Sequence, residues 1–120
     1  MNKKKVKKEK KIYLTRQEEL FMLTIFRLEE PAYLVNIRDH LMENTGKDWA
    51  FGSIYITLNK LKKKDFVTSK IGIPLNKRGG KSIQYYELSA SGIKALKHSK
   101  QVQDVMWREF NAFLKKRESI

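Results

Sequence analysis

The chain of 120 residues contains no cysteine. That excludes disulfide frameworks, thiolate metal sites and thiol nucleophiles, and it fits a reducing cytoplasm, the expected location. His40 and His98 are the only histidines, and neither stands at the spacing from an acid or nucleophile that a known site uses. Metal-ligand clusters, nucleophile elbows and phosphate-cradling glycine loops are missing as well. Gly79-Gly80 suits a hairpin turn and lacks the strand-to-helix setting of a phosphate loop. The expectation is a protein that is not an enzyme and holds no metal or cofactor. Apolar runs stay far below the ~18 residues that a membrane span needs, so no membrane association is expected. The basic N-terminus is not followed by the apolar segment of a secretory signal, and none is expected there.

Acidic residues are scarce in two particular places. Residues 1–11 hold seven lysines against Glu9 alone, a net of +6. Residues 60–81 hold eight bases (Lys60, Lys62, Lys63, Lys64, Lys70, Lys77, Arg78 and Lys81) against Asp65 alone, a net of +7. The remainder carries eleven bases and eleven acids, so these two stretches account for the whole net charge of +13. A neutral body with two concentrated basic stretches is built to meet a polyanion on one side. Charge serving solubility alone would be interspersed with acids, although a lysine-rich terminus is often only a disordered arm.

The pattern along the chain predicts four helices and a hairpin. Residues 1–12 read as a flexible basic tail. Thr15 caps a first helix, with Glu18 completing a capping box. Phe21, Ile25 and Leu28 share one face of it, and Glu29-Glu30-Pro31 ends it. A second helix runs from about Tyr33 to Asn44, with Tyr33, Ile37 and Leu41 on one stripe, and Thr45-Gly46 closes it. A third spans about Gly52 to Lys64, its apolar stripe being Ile54, Leu58 and Leu61. The opposite face carries Ile56, Asn59, Lys60 and Lys63, flanked by Ser53, Tyr55 and Lys62. Val67 to Ile73 and Ser82 to Leu88 read as strands, joined by a turn-rich loop from Pro74 to Lys81. Tyr85 and Tyr86 fall on opposite strand faces, and Tyr86, which shares its face with Leu88, is the expected core residue. Trp49 is expected to pack. Ser89 caps a last helix that continues to about Lys116.

Three helices, a strand pair with a basic tip and a further helix describe a winged helix-turn-helix, a mainly α fold with a small β-hairpin (α+β) and a long C-terminal dimerisation helix. A helix fits the major groove of B-DNA, and a basic hairpin tip reaches phosphates or the neighbouring minor groove. The two elements that would face double-stranded DNA are the charged ones. Ile56 is suited to a thymine methyl, or is an incidental exposed residue. Lys62 to Lys64, without a compensating acid before Asp65, favour a DNA-facing reading over an ordinary solvated face. The last helix, some 27 residues, spans roughly 40 Å. Ile93 and Leu96 can return to the core. Val102, Val105, Met106, Trp107, Phe110, Phe113 and Leu114 make a broad apolar face that a lone helix cannot bury, so a second copy of the chain is the economical partner. Two-fold pairing would set two recognition helices roughly 34–36 Å apart on a palindromic site. The organisation expected is a tail (1–12), a DNA-binding domain (13–89) and a dimerisation helix (90–120).

Between residues 17 and 96 the chain resembles the PadR-like transcription regulators. The resemblance is carried by Pro31-Ala32-Tyr33, by Gly52-Ser53-Ile54-Tyr55 leading to Leu58 and Leu61, and by Lys64-Asp65-Phe66-Val67. It continues through Arg78-Gly79-Gly80-Lys81 and Tyr85-Tyr86-Glu87-Leu88-Ser89 with Gly92. The resemblance implies a homodimeric bacterial repressor paired through its C-terminal helix. It implies that Ser53, Tyr55 and Tyr33 approach the DNA backbone and that Arg78 and Lys81 belong to a basic wing, beside Lys77, which the hairpin reading places at the same tip. Some members sense small aromatic or lipophilic effectors at the dimer interface, which makes Trp107 a candidate ligand contact as well as an interface anchor. The sequence departs from the family's pattern at Ala50, where a capping serine is usual, so that Ser53 becomes the substitute cap, and at Leu34, where glycine often follows the tyrosine. Two rivals stand beside the regulator: a winged-helix protein of replication termination or plasmid maintenance, and a basic module that meets an acidic protein.

Overall fold

A computed structural model describes residues 13–72 and 82–118. In chain order the elements are α1 (Arg16–Arg27), α2 (Leu34–Thr45), α3 (Phe51–Lys63), β1 (Val67–Gly72), β2 (Ile83–Leu88) and α4 (Ala90–Glu118). The expected order of elements is the observed one, and the boundaries shift by one or two residues. The N-terminal tail, residues 1–12, and the wing loop that carries Lys77, Arg78 and Lys81 lie outside the described residues, as does Ile73.

Each helix forms where the sequence supplies its ends. Thr15 caps α1: its Oγ1 accepts from the Glu18 N–H at 3.0 Å, while Glu18 Oε1 accepts from the Thr15 N–H at 2.9 Å, so two orphan donors are satisfied reciprocally. α1 ends at Arg27, with Leu28 already extended, well before Pro31. Tyr33 is the N-cap of α2 and not its first helical residue; the cap bond comes from Asn36 Oδ1, which accepts from the Tyr33 N–H at 2.8 Å. Gly46, at φ 73°, closes α2 in the left-handed region that glycine adopts without strain. Ala50 is the N-cap of α3 and supplies no side-chain cap, so Ser53 does not take the role expected of it: it lies inside the first turn, beyond the N-cap position.

The end of α3 is a Schellman motif. The Phe66 N–H bonds to the Leu61 carbonyl and the Asp65 N–H to the Lys62 carbonyl, at 3.0 and 2.9 Å, with Asp65 at φ 65°. Aspartate tolerates this left-handed position better than most residues with a side chain. The turn drives Phe66 and Val67 directly into the core and starts β1. β1 and β2 pair antiparallel from Val67↔Leu88 to Gly72↔Ile83. Ala32, between α1 and α2, adds a single bridge, its carbonyl accepting from the Tyr86 N–H at 2.9 Å.

The core gathers one face from every element of the domain. Phe21 and Met22 of α1, Ile37 and Leu41 of α2, and Ile54, Leu58 and Leu61 of α3 are all fully enclosed or within 1% of it. Trp49 packs edge-on to Phe21, ring centroids 5.3 Å apart. Tyr86 joins this cluster as expected. Tyr85 is buried as well, on the other face of β2, where its ring meets Tyr33 and covers Gly72. Leu96 and Ala95 bring α4 onto the core. Ile93 does not return to it and is exposed, because Gly92 is the residue of that turn that faces the body.

Gly92 marks where α4 meets the corner between α3 and β1. Ser89 Oγ caps α4 by accepting from the Gly92 N–H at 3.0 Å, and the Ser89 and Ser91 hydroxyls donate to the Asp65 carbonyl at 2.6 and 2.9 Å. A Cβ at Gly92 would stand 2.1 Å from the Phe66 carbonyl oxygen. That neighbour is backbone and cannot rotate away. Gly92→Ala is expected to destabilise the domain by about 3 kcal/mol, the upper part of the range for overpacking, measured as a lowered urea midpoint.

Candidate nucleic-acid interface

α3 has two unlike sides. Ile54, Thr57, Leu58 and Leu61 are buried. At the complementary spacing Ser53, Ile56, Lys60 and Lys63 form an exposed row, with Tyr55 exposed on its flank and Asn59 and Lys62 half-buried. The structure therefore brings seven of the sequence-predicted residues together on one helix. The helix dipole favours lysines in its last turn, so part of the reason for Lys60, Lys62 and Lys63 is local. Tyr33 stands apart from them, half-buried, its ring edge-on to Tyr85 at 5.9 Å between centroids.

The basic stretch divides in a way the sequence does not show. Lys64 Nζ donates to Glu18 Oε2 at 2.6 Å, and the Glu18 side chain is almost wholly enclosed. Lys62, Lys63 and Lys64 are thus not all uncompensated: Lys64 is neutralised by an acid 46 positions away in the chain. Lys70 lies 3.9 Å from Glu87 across the hairpin, and both are largely exposed, so this contact contributes little. Lys60, Lys62 and Lys63 take part in no ion pair among the described residues. They leave the outward side of α3 positive next to the outward Ser53 and Ile56.

Arg38, which the sequence reading passed over, frames the entry to α3. From the middle of α2 its Nε donates to the Trp49 carbonyl at 2.9 Å, and a terminal guanidinium nitrogen donates to Asp48 Oδ1 at 2.9 Å. The guanidinium also lies over the Phe51 ring, 4.8 Å from its centroid. Three contacts from one side chain hold residues 48–51 at the start of α3, where no side chain caps the helix. Asp48 ten residues on is a weak sequence signal for such a clamp, because the spacing belongs to no single helix. On the other side of α3, Gln17 Nε2 donates to Thr57 Oγ1 at 2.8 Å. α3 is thus held by α1 and by α2, while its charged row is left to solvent.

The second candidate surface is α4. Residues 104–118 are all exposed, and they include Val105, Met106, Trp107, Phe110, Phe113 and Leu114; Val102 is exposed too. Trp107, Phe110 and Phe113 form a chain of ring contacts with centroids 5.7 and 5.8 Å apart. At helical spacing this stripe prolongs the face that Gly92, Leu96 and Ser99 turn toward the domain. Among the described residues no helix is long and apolar enough to cross a membrane.

Comparison with solved structures finds this fold repeatedly. A PadR family transcription regulator from Clostridium difficile superposes with a TM-score of 0.65 at 22% identity, covering 81% of this chain and 97% of that one. A PadR-like transcriptional regulator from Bacillus cereus gives 0.67 at 20% identity, over 82% and 90%. A PadR family transcriptional regulator from Eggerthella lenta gives 0.63 at 22% identity, over 82% and 84%. No family model matches the chain, and no curated protein matches it in sequence. The chain has the winged-helix fold of PadR-type proteins, including the long C-terminal helix.

Burial pushes the Glu18 carboxyl up, but the Lys64 hydrogen bond, the Thr15 bonds and the Lys64 charge outweigh it and hold it below the usual carboxylate value. A depressed folded-state value means stabilisation that is complete at neutral pH and disappears as pH falls through that value. Acid unfolding is expected to steepen below about pH 4.3, the ordinary glutamate value. Glu18→Gln should flatten that limb in urea titrations run across pH; an unchanged limb would place the acid sensitivity elsewhere.

Proposed function

We propose that this chain is a PadR-like transcription regulator that binds double-stranded DNA as a homodimer and represses by occupying a palindromic operator in the bacterial cytoplasm. Residues 13–89 are the DNA-binding unit and residues 90–120 the pairing helix. The observation that carries this reading is the exposed row Ser53, Ile56, Lys60 and Lys63, on a helix whose other side is fully buried. A rigid helix with one free, positive face suits the major groove. Lys60, Lys62 and Lys63 neutralise phosphates, as do Lys77, Arg78 and Lys81 of the wing, while Asn59 and Ile56 have the chemistry to read base edges. Ser53, Tyr55 and Tyr33 supply hydroxyls for phosphate oxygens.

Pairing follows from the uncovered half of α4. Val102, Val105, Met106, Trp107, Phe110, Phe113 and Leu114 together exceed what a solvated helix carries without a partner, and the same stripe on a second chain is its natural complement. Trp107, exposed and edge-on to Phe110, is the residue for a small aromatic or lipophilic effector to stack on, should the regulator respond to one.

Two measurements test this. The logarithm of affinity for duplex DNA should fall linearly with log salt, by about 0.9 per phosphate neutralised, and Lys60→Ala with Lys63→Ala should reduce the slope by about 1.8. A flat salt response in the parent protein would count against DNA as the ligand and for an acidic protein partner. Phe110→Asp buries a charge in the proposed interface and should convert a sedimenting dimer into a monomer; a variant that still sediments as a dimer places the interface elsewhere.

A further inference from the structure

Three consecutive residues of α1 reach three different points. Gln17 bonds to Thr57 in the middle of α3, and Glu18 bonds to Lys64 at the C-cap of α3. Glu19 turns the other way, to α4: Gln103 Nε2 donates to both of its carboxylate oxygens, at 2.7 and 2.6 Å, and Ser99 Oγ donates at 3.1 Å. One turn of α1 therefore holds both the helix with the exposed basic row and the helix with the exposed apolar stripe.

The place of the Glu19 contact gives it leverage. Gln103 is the last residue of α4 that is half-covered, and every residue from 104 to 118 is exposed. Those fifteen residues extend roughly 22 Å beyond the contact. A tilt of about 10° there displaces the far end by roughly 4 Å, close to the rise of one base step. Apolar packing holds α4 only near its start, where Ala95 and Leu96 meet the core; residues 104–118 are all exposed. Beside the contact runs an open groove floored by Leu23, Ile93 and Leu96, and Ile93 and Leu23 are exposed. The bonds to the carboxylate, stronger than bonds between neutral groups, are, among the described residues, the last directional contacts between α4 and the rest of the domain along the helix.

We propose that Glu19 and Gln103 are a positioning pair that fixes the angle of α4 against the DNA-facing helix and thereby sets which half-site spacing the dimer accepts. The spacing consequence rests on the dimeric DNA-binding reading above; the angular one does not. Because the chain has no cysteine, Lys60→Cys with Asn111→Cys places two spin labels on α3 and on distal α4. Diluted into unlabelled protein, the labels report the angle within one chain by pulsed electron resonance, with or without DNA or pairing. A narrow distance distribution is expected in the parent. It should broaden in Glu19→Ala and in Gln103→Ala, and narrow again in the exchange Glu19→Gln with Gln103→Glu, which restores a donor facing an acceptor.

On duplexes with half-sites at varied spacers, Glu19→Ala should lose about tenfold at the best spacer, a modest part of the gain from joining two sites, with affinity for an isolated half-site unchanged. A label distribution that is broad in the parent, or equally narrow in Glu19→Ala, overturns the positioning role. A spacer profile unmoved by Glu19→Ala, with the distribution broadened, overturns the spacing role alone. A parent that binds no duplex overturns the regulator reading, while the label distances still decide the angular one.

Discussion

The molecule depends on a single constraint: α3 must bury one stripe completely so that its opposite side can be offered rigidly to solvent. Ile54, Leu58 and Leu61 have no exposed surface, and enclosing side chains of this size stabilises the fold by about 2 kcal/mol each. That burial fixes the rotation of the helix about its own axis. A shift of α3 by one residue, about 100°, would put Lys60 in the place of Leu61 in the core, where an unpaired charge is very costly. The polar side is therefore as well determined as the apolar one, although little touches it.

Much of this was legible in the chain. The stripes Phe21-Ile25-Leu28, Tyr33-Ile37-Leu41 and Ile54-Leu58-Leu61 repeat at helical spacing, and all of their members are core except Leu28 and Tyr33, which stand at helix ends and are half-buried. The Thr15-Glu18 box and Gly46 mark helix ends by local chemistry that needs no partner from afar, and both behave as read. What was not legible depends on long-range geometry. Glu18 looks complete as a capping residue, yet its second oxygen takes Lys64. Charge counting along the sequence assigns Lys64 to the basic face, whereas folding withdraws it. Arg38 gave no pattern because its partners, Trp49 and Asp48, lie in an irregular segment. Ile93 follows helical spacing to the core, but Gly92 lies so close to the Phe66 backbone that the turn is used up by the glycine.

The corner formed by Asp65, Phe66, Ser89, Ser91 and Gly92 shows how tightly the hairpin and the last helix are joined. The Schellman turn sends the chain into β1, and its Asp65 carbonyl accepts both serine hydroxyls at the start of α4. The hairpin is thus bracketed: one end of each strand is fixed at the same corner, while the other ends lead to the wing.

The uncovered half of α4 has a consequence for abundance. In the proposed dimer that stripe finds cover only in another molecule, which ties ordering to mass action, so a sparsely synthesised regulator of the proposed kind would exist largely as single chains. Each would grip a lone half-site without the large gain that two linked grips confer. Occupancy would then rise more steeply than in proportion to copy number, and a gene controlled this way would respond to the regulator's own synthesis as to a threshold.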